Sequence, residues 1–175
     1  IPQVRINDDY SEELLRLSGQ MNTDLVWIHP SASVNEGSLA YTMNQMGIPT
    51  LVTESGAAFR IKYDFCEQII AGIFAVMKEL GIWNGPAQAR EKVPVIREDE
   101  IYYMNCESSG LFVSHKKLKD HVRRGDIIGT ISNPLLGAVE EEIIAPCDGV
   151  IMTLREHPGV AEGSLVARII GGNHL

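Results

Sequence analysis

Hydrophobic positions change their spacing about halfway along the chain. Over residues 1–6, Ile1, Val4 and Ile6 stand around Gln3 and Arg5 in the alternation of an extended segment. Asn7-Asp8-Asp9 reads as a turn and N-cap cluster. From Tyr10, Leu14, Leu15, Leu17 and Met21 follow helical spacing, with Ser11, Glu12 and Glu13 in the first turn, where the helix dipole favours negative charge. Leu25-Val26-Trp27-Ile28 is a compact apolar strand running into His29-Pro30-Ser31-Ala32-Ser33. After Asn35-Glu36-Gly37 a second helix is predicted over about 38–45, closed by Gly47. Ile48, Leu51 and Val52, with Thr50 and Thr53, predict a buried strand that delivers Glu54 and stops at Gly56. A long helix follows over about 63–80, where Phe65, Ile69, Ile70, Ile73, Phe74, Val76, Met77 and Leu80 make a broad apolar face suited to packing on a sheet. Alternating helices and strands predict an α/β layer with a mainly parallel sheet.

Gly81-Ile82-Trp83-Asn84-Gly85-Pro86 breaks the pattern, which places a domain boundary there and divides the chain into residues 1–86 and 87–175. Beyond it, short β-type runs at 93–96, 101–105, 110–113, 127–131, 142–144, 149–154 and 165–170 predict a small sandwich or barrel. Two stretches in this half resemble each other as V-x-x-G-D/S-I/L. They are Val122-Arg123-Arg124-Gly125-Asp126-Ile127 and Val160-Ala161-Glu162-Gly163-Ser164-Leu165, 38 residues apart (160 − 122). Between them, Ala145-Pro146-Cys147-Asp148-Gly149 reads as a hairpin turn. The combination resembles the barrel-sandwich hybrid of biotinyl and lipoyl carriers. Cys147-Asp148 stands where a carrier presents its lysine, which argues against a swinging arm.

Composition narrows the function classes. Hydrophobic content of 45% describes a globular protein, and a net charge of −8 argues against nucleic-acid binding, which needs clustered Lys and Arg. The basic cluster His115, Lys116, Lys117, Lys119, His121, Arg123 and Arg124 is interrupted by Asp120 and reads as a solvated surface connection. No apolar stretch reaches the length of a membrane span and no signal-peptide pattern opens the chain, so a cytoplasmic protein without a membrane role is expected. Cys66, Cys106 and Cys147 are odd in number and widely spaced, which predicts reduced thiols rather than a disulfide framework. The opening Ile1-Pro2-Gln3, without an initiator methionine, looks like a cut from something longer.

Candidate chemistry centres on Glu54. Ligands of open α/β sheets bind beyond the carboxyl ends of strands, so a strand-end glutamate before small Ser55, Gly56, Ala57 and Ala58 is a candidate acid/base group. The alternative is an ordinary glutamate facing water. Arg60, six residues on, could clamp a substrate carboxylate bidentately with its guanidinium, or simply face solvent. His29 could ligate a metal or serve as a structural histidine. His115 and His121 lie in the charged connection, His157 in a loop and His174 at the tail. No HExxH or comparable His/carboxylate spacing occurs, so these motifs do not build a zinc site. Glu140-Glu141-Glu142 alternates between the two faces of a strand and reads as a solvated surface.

Taken together, Gly37-Ser38-Leu39 opening a helix, Gly47-Ile48-Pro49, Thr53-Glu54-Ser55-Gly56, the V-x-x-G repeats and Ala145-Pro146-Cys147-Asp148-Gly149 resemble the carboxy-terminal half of the succinylglutamate desuccinylase/aspartoacylase family. That resemblance implies a zinc carboxypeptidase-like fold and removal of an acyl group from the nitrogen of an amino acid, with Glu54 matching the family's general base. It also implies zinc ligands in an early H-x-x-E motif and an Asp-Leu-His type motif, both of which would precede Ile1. His29 lies too close to Glu54 to match the third ligand. The chain alone is then expected to be inactive, and to be stable only as a homo-oligomer or with its missing half. The rival expectation is a non-catalytic α/β plus carrier-like module that binds a partner through an exposed sheet edge.

Overall fold

The structure, a computed structural model, describes residues 1–30, 36–88, 90 and 92–172. Ser31, Ala32, Ser33, Asn35 and His174, named above, lie outside the described residues. The chain is mixed α/β and divides into two compact units, Ile1–Glu98 and Asp99–Leu175.

In unit 1, β1 (Gln3–Asn7) and β2 (Leu25–His29) run parallel in direct register, Val4 beside Val26 and Ile6 beside Ile28. Successive residues on a strand face opposite ways. Val4, Ile6, Val26 and Ile28 therefore share one face, where they form a core with Leu14 and Met21 from the α1 (Glu12–Gln20) region. Partly buried Ile69 and Val76 of α3 (Tyr63–Glu79) pack against the same cluster. The Ser11 hydroxyl caps α1 by accepting from Leu14 N at 3.1 Å, so the cap falls after the Asn7-Asp8-Asp9 cluster where the sequence places it. Midway along that helix, Arg16 is ion-paired with Glu79 of α3. Asp24, nearly fully buried, is held by Arg90 at 2.9 Å and by Gln68 of α3 at 3.3 Å, the partners a buried charge requires.

Two sequence expectations are corrected here. The run at 93–96 was expected in the second half, but β4 (Val95–Arg97) pairs parallel with β2 and buries Ile96 against Trp27. The unit boundary thus falls between Glu98 and Asp99, later than the 81–86 break. The Glu54 strand, expected to be buried, is the three-residue β3 (Val52–Glu54), exposed throughout, at the edge of a sheet ordered β3-β1-β2-β4. It runs antiparallel to β1, so the sheet is parallel only across β1, β2 and β4. Local chemistry explains its shortness. Gly47 turns at φ +77°, and the side chain of Asn44 on α2 (Leu39–Gln45) binds both Thr50 N (2.7 Å) and Thr50 O (3.0 Å). Pro49 has no N–H to give a sheet. The chain is thus committed to a turn until just before Val52.

Unit 2 places two four-stranded antiparallel sheets on one apolar core. The first runs β5 (Ile101–Asn105), β12 (Leu165–Gly171), β10 (Gly149–Leu154), β7 (His121–Val122). The second runs β11 (Gly159–Val160), β6 (Gly110–Ser114), β8 (Ile127–Ser132), β9 (Val139–Ile144). The repeated motif is a repeated turn. In each copy the valine is buried at a strand end, and the glycine takes positive φ, +92° at Gly125 and +81° at Gly163. The next residue caps the turn. Asp126 Oδ2 accepts from Arg123 N at 3.3 Å, and Ser164 Oγ from Ala161 N at 3.2 Å, which is why Asp or Ser stands there. Each turn carries the chain between sheets, β7 to β8 in one direction and β11 to β12 in the other. Residues 145–148, expected as a hairpin turn, also cross between sheets, because β9 and β10 lie in different ones.

The three thiols are free. Cys106 is buried with Sγ 3.2 Å from Ala161 O, Cys66 is exposed, and Cys147 packs partly against the core. Burial, helped by the neighbouring Asp148 carboxylate and opposed by Arg124, pushes the Cys147 thiol above its usual range. No helix among the described residues is long and apolar enough to cross a membrane.

A matched pair of glycine substitutions tests the helix packing. A Cβ on Gly72 of α3 would lie 1.8 Å from Met21 O, whereas one on Gly19 of α1 meets nothing within 4 Å. Gly19→Ala is expected to stabilise by about 0.5–1 kcal/mol through helix propensity. Gly72→Ala is expected to destabilise by about 1–3 kcal/mol because the clash outweighs that gain. Urea midpoints at unchanged slope would read both. Iodoacetamide labelling at neutral pH, followed by mass spectrometry, is expected to modify Cys66 first. Cys147 should lag, its rate rising as higher pH supplies thiolate, and Cys106 should stay protected until unfolding.

Candidate functional site

The face of the unit 1 sheet opposite its core carries the polar chemistry. Alternation from Val4 and Ile6 puts Gln3, Arg5 and Asn7 of β1 on it, with Trp27 and His29 of β2 and Val52 and Glu54 of β3 beside them by register. The Arg5 guanidinium is 24% exposed and its Nη2 lies 2.6 Å from Glu54 Oε2. Its Cζ sits 4.6 Å from the centroid of the Trp27 ring. With its amide oxygen turned toward these donors, Gln3 accepts from Arg5 Nε at 3.3 Å and Nη2 at 3.0 Å. Trp27 is fully buried and donates its indole N–H to Glu98 Oε2 at 3.0 Å. Its ring also stacks on His29, centroids 4.0 Å apart, and His29 Nδ1 lies 3.6 Å from the same Glu98 oxygen. Glu54, Arg5, Trp27, His29 and Glu98 thus form one continuous column across three strands.

Beside this column lies a cavity of about 280 Å³ lined by Arg5, Asn7, His29, Ser38, Tyr41, Asn44, Thr50 and Glu54 among others. The capped start of α2 forms one wall, the Ser38 hydroxyl accepting from Tyr41 N at 3.3 Å. The lining combines a carboxylate, a guanidinium, an imidazole, amides and hydroxyls with the apolar Ile6, Ala40 and Val52, a set suited to a small ligand with polar and apolar parts.

Each candidate residue has a definite place. Glu54 lines the cavity with its side chain 48% exposed. Because β3 is antiparallel, Glu54 pairs with Gln3 at the start of β1. It therefore lies beside the amino end of β1, not beyond the carboxyl ends of the parallel strands, where the sequence places it. His29, opposite Asn7 at the far end of β1, reaches the same cavity from that side. Four residues of strand separate their register positions, about 13 Å. Arg60 is exposed in the turn at 57–60, with its N–H directed to Ala57 O at 3.4 Å, and does not line this cavity. The arginine that does is Arg5, which the sequence reading passed over. The available signal was a cation inside an otherwise apolar alternating strand.

Several charged groups of the second unit, by contrast, brace its own backbone and side chains. Glu141 accepts from the backbone N–H groups of Glu107 and Ser108 at 2.9 and 2.8 Å, and Glu140 accepts from Asn133 Nδ2 at 3.0 Å. Lys116 pairs with Asp126 at 3.1 Å, which holds the Asp126 carboxyl below the usual carboxylate range. Among the described residues no three His, Cys, Asp or Glu side chains converge as metal ligands. His29 with Glu98 supplies two donors, so these residues do not fit a complete zinc site.

No family model and no curated protein matches the chain. Its fold does match solved structures. A succinylglutamate desuccinylase from Silicibacter sp. TM1040 is 19% identical, covering 97% of this chain and 53% of its own, at a TM-score of 0.84. The product-bound ectoine utilization protein EutE (DoeB) from Ruegeria pomeroyi is 19% identical over 97% and 53% of the two chains, at 0.82. The succinylglutamate desuccinylase/aspartoacylase from Rhodobacter sphaeroides is 19% identical over 98% and 54%, at 0.79. The chain thus has the fold of part of these proteins and spans about half their length.

Proposed function

We propose that the chain is part of a zinc-dependent hydrolase that removes an acyl group from the nitrogen of an amino acid or related carboxylate. The observation that carries this reading is the position of Glu54. The carboxylate that the family resemblance assigns as general base lines a small cavity, on a fold matched by structures described as succinylglutamate desuccinylase/aspartoacylase proteins. Glu54 accepts the proton of the attacking water and returns it to the departing amine nitrogen. Zinc, when bound, would polarise the amide carbonyl and acidify that water. Its ligands are assigned to residues outside this chain, which alone is expected to be inactive. Arg60, on the loop after Glu54, remains a proposed contact for a substrate carboxylate. The free thiols fit a reducing compartment, and a cytoplasmic location belongs to the same proposal.

Association is a further part of it. β3 presents an open edge, and Ile70, Ile73 and Phe74 form an exposed apolar stripe on α3. A second copy, or the remainder of a longer protein, would cover both.

In the full-length protein, Glu54→Gln is expected to lower turnover by about 10²- to 10⁴-fold on an N-acyl amino acid. Wild-type turnover at saturating zinc would remove Glu54 from the role. Light scattering of the dilute 175-residue chain is expected to show an oligomer. A monomer with a cooperative melt would count against association.

A further inference from the structure

A base must be held still, and the backbone does little to hold Glu54. Its strand is three residues long, exposed throughout and at a sheet edge, and its side chain is 48% exposed. What restrains the carboxylate is Arg5, and Arg5 is itself restrained from several directions. Trp27 lies against its guanidinium at 4.6 Å, and the Gln3 amide oxygen accepts from both Nε and Nη2. Trp27 is fixed in turn by burial and by its bond to Glu98. The contact to Glu54 is made through Oε2, and among the described residues no donor reaches Oε1. One carboxylate oxygen is thereby tethered while the other stays able to accept a proton.

We propose that Arg5 is a positioning residue for Glu54, holding it by Oε2 so that Oε1 serves as the proton acceptor at the cavity. The proposal rests on the reading of Glu54 as general base. It separates Arg5 from a substrate clamp, because its charge is already committed to the carboxylate it orients. Trp27 and Gln3 lock the guanidinium plane, and Glu54 inherits that rigidity. A lysine would supply the charge without the planar fork that meets Glu54 and Gln3 at once.

Kinetics of the full-length protein test this. Arg5→Met is expected to lower kcat by about 10- to 100-fold, the scale of a misplaced reacting group, with KM changed by less than about twofold. In a Glu54→Gln background the same substitution should cost less than about a further twofold, since there is no base left to position. A KM raised about tenfold at unchanged kcat would make Arg5 a substrate ligand and overturn the proposal. Losses that multiply in the double variant would overturn it too. Where Arg5→Met fails to fold, Arg5→Lys is read by the same split and the same double variant. If the wild-type full-length protein removes no acyl group, the functional reading falls by itself. The Arg5–Glu54 tether is then judged by a double-mutant cycle on urea unfolding of the full-length protein. Coupling of at least about twofold in the unfolding constant supports the tether, and none overturns it.

Discussion

The parallel register of β1 against β2 is the constraint from which unit 1 follows. Once Val4 and Ile6 stand beside Val26 and Ile28 and sink into the core with Leu14 and Met21, the side-chain period of two leaves no freedom for the residues between them. Gln3, Arg5, Trp27 and His29 must emerge on the opposite face, next to one another. A slip of one residue would bury the arginine among the apolar side chains of α1 and α3. The burial that holds the unit together and the placement of its polar column are therefore one event.

The energetics of that column favour geometry over stability. A half-exposed carboxylate paired with a guanidinium contributes of the order of 0–1 kcal/mol. The cation over the indole adds about 0.5–2 kcal/mol depending on its desolvation. Neither rivals the core. A fully buried Val, Leu or Ile side chain is worth about 1.5–3 kcal/mol, and the core cluster of unit 1 holds several. What the column secures is orientation. The bulky Trp27 fixes one face of the guanidinium, and both carboxylates at its ends are engaged.

Unit 2 solves a different problem with local means. Two sheets share one core, so the chain must pass repeatedly from one sheet to the other. It does so twice through the same turn, a positive-φ glycine followed by a short oxygen-bearing side chain that caps the backbone. Arg124 N and Asp148 Oδ1, 2.7 Å apart, tie one of these turns to the crossing at 145–148. The low net need for helices in this half follows from its short runs, none long enough for a helical face.

Sequence alone determined the features that act within a few residues: the helix α1, the long α3, the alternation in β1 and the glycine-bearing repeats at 122–127 and 160–165. It also singled out Glu54 through a chain of short motifs. Tertiary structure decided which strand each run would join. It put 95–97 beside β2, turned β3 antiparallel at the edge, and brought Arg5 rather than Arg60 to the cavity. The physical reason is range. Spacing fixes which side of an element is apolar, but Arg5 meets Glu54 across 49 positions (54 − 5) and Trp27 meets Glu98 across 71. Such partners are chosen only when the sheet closes.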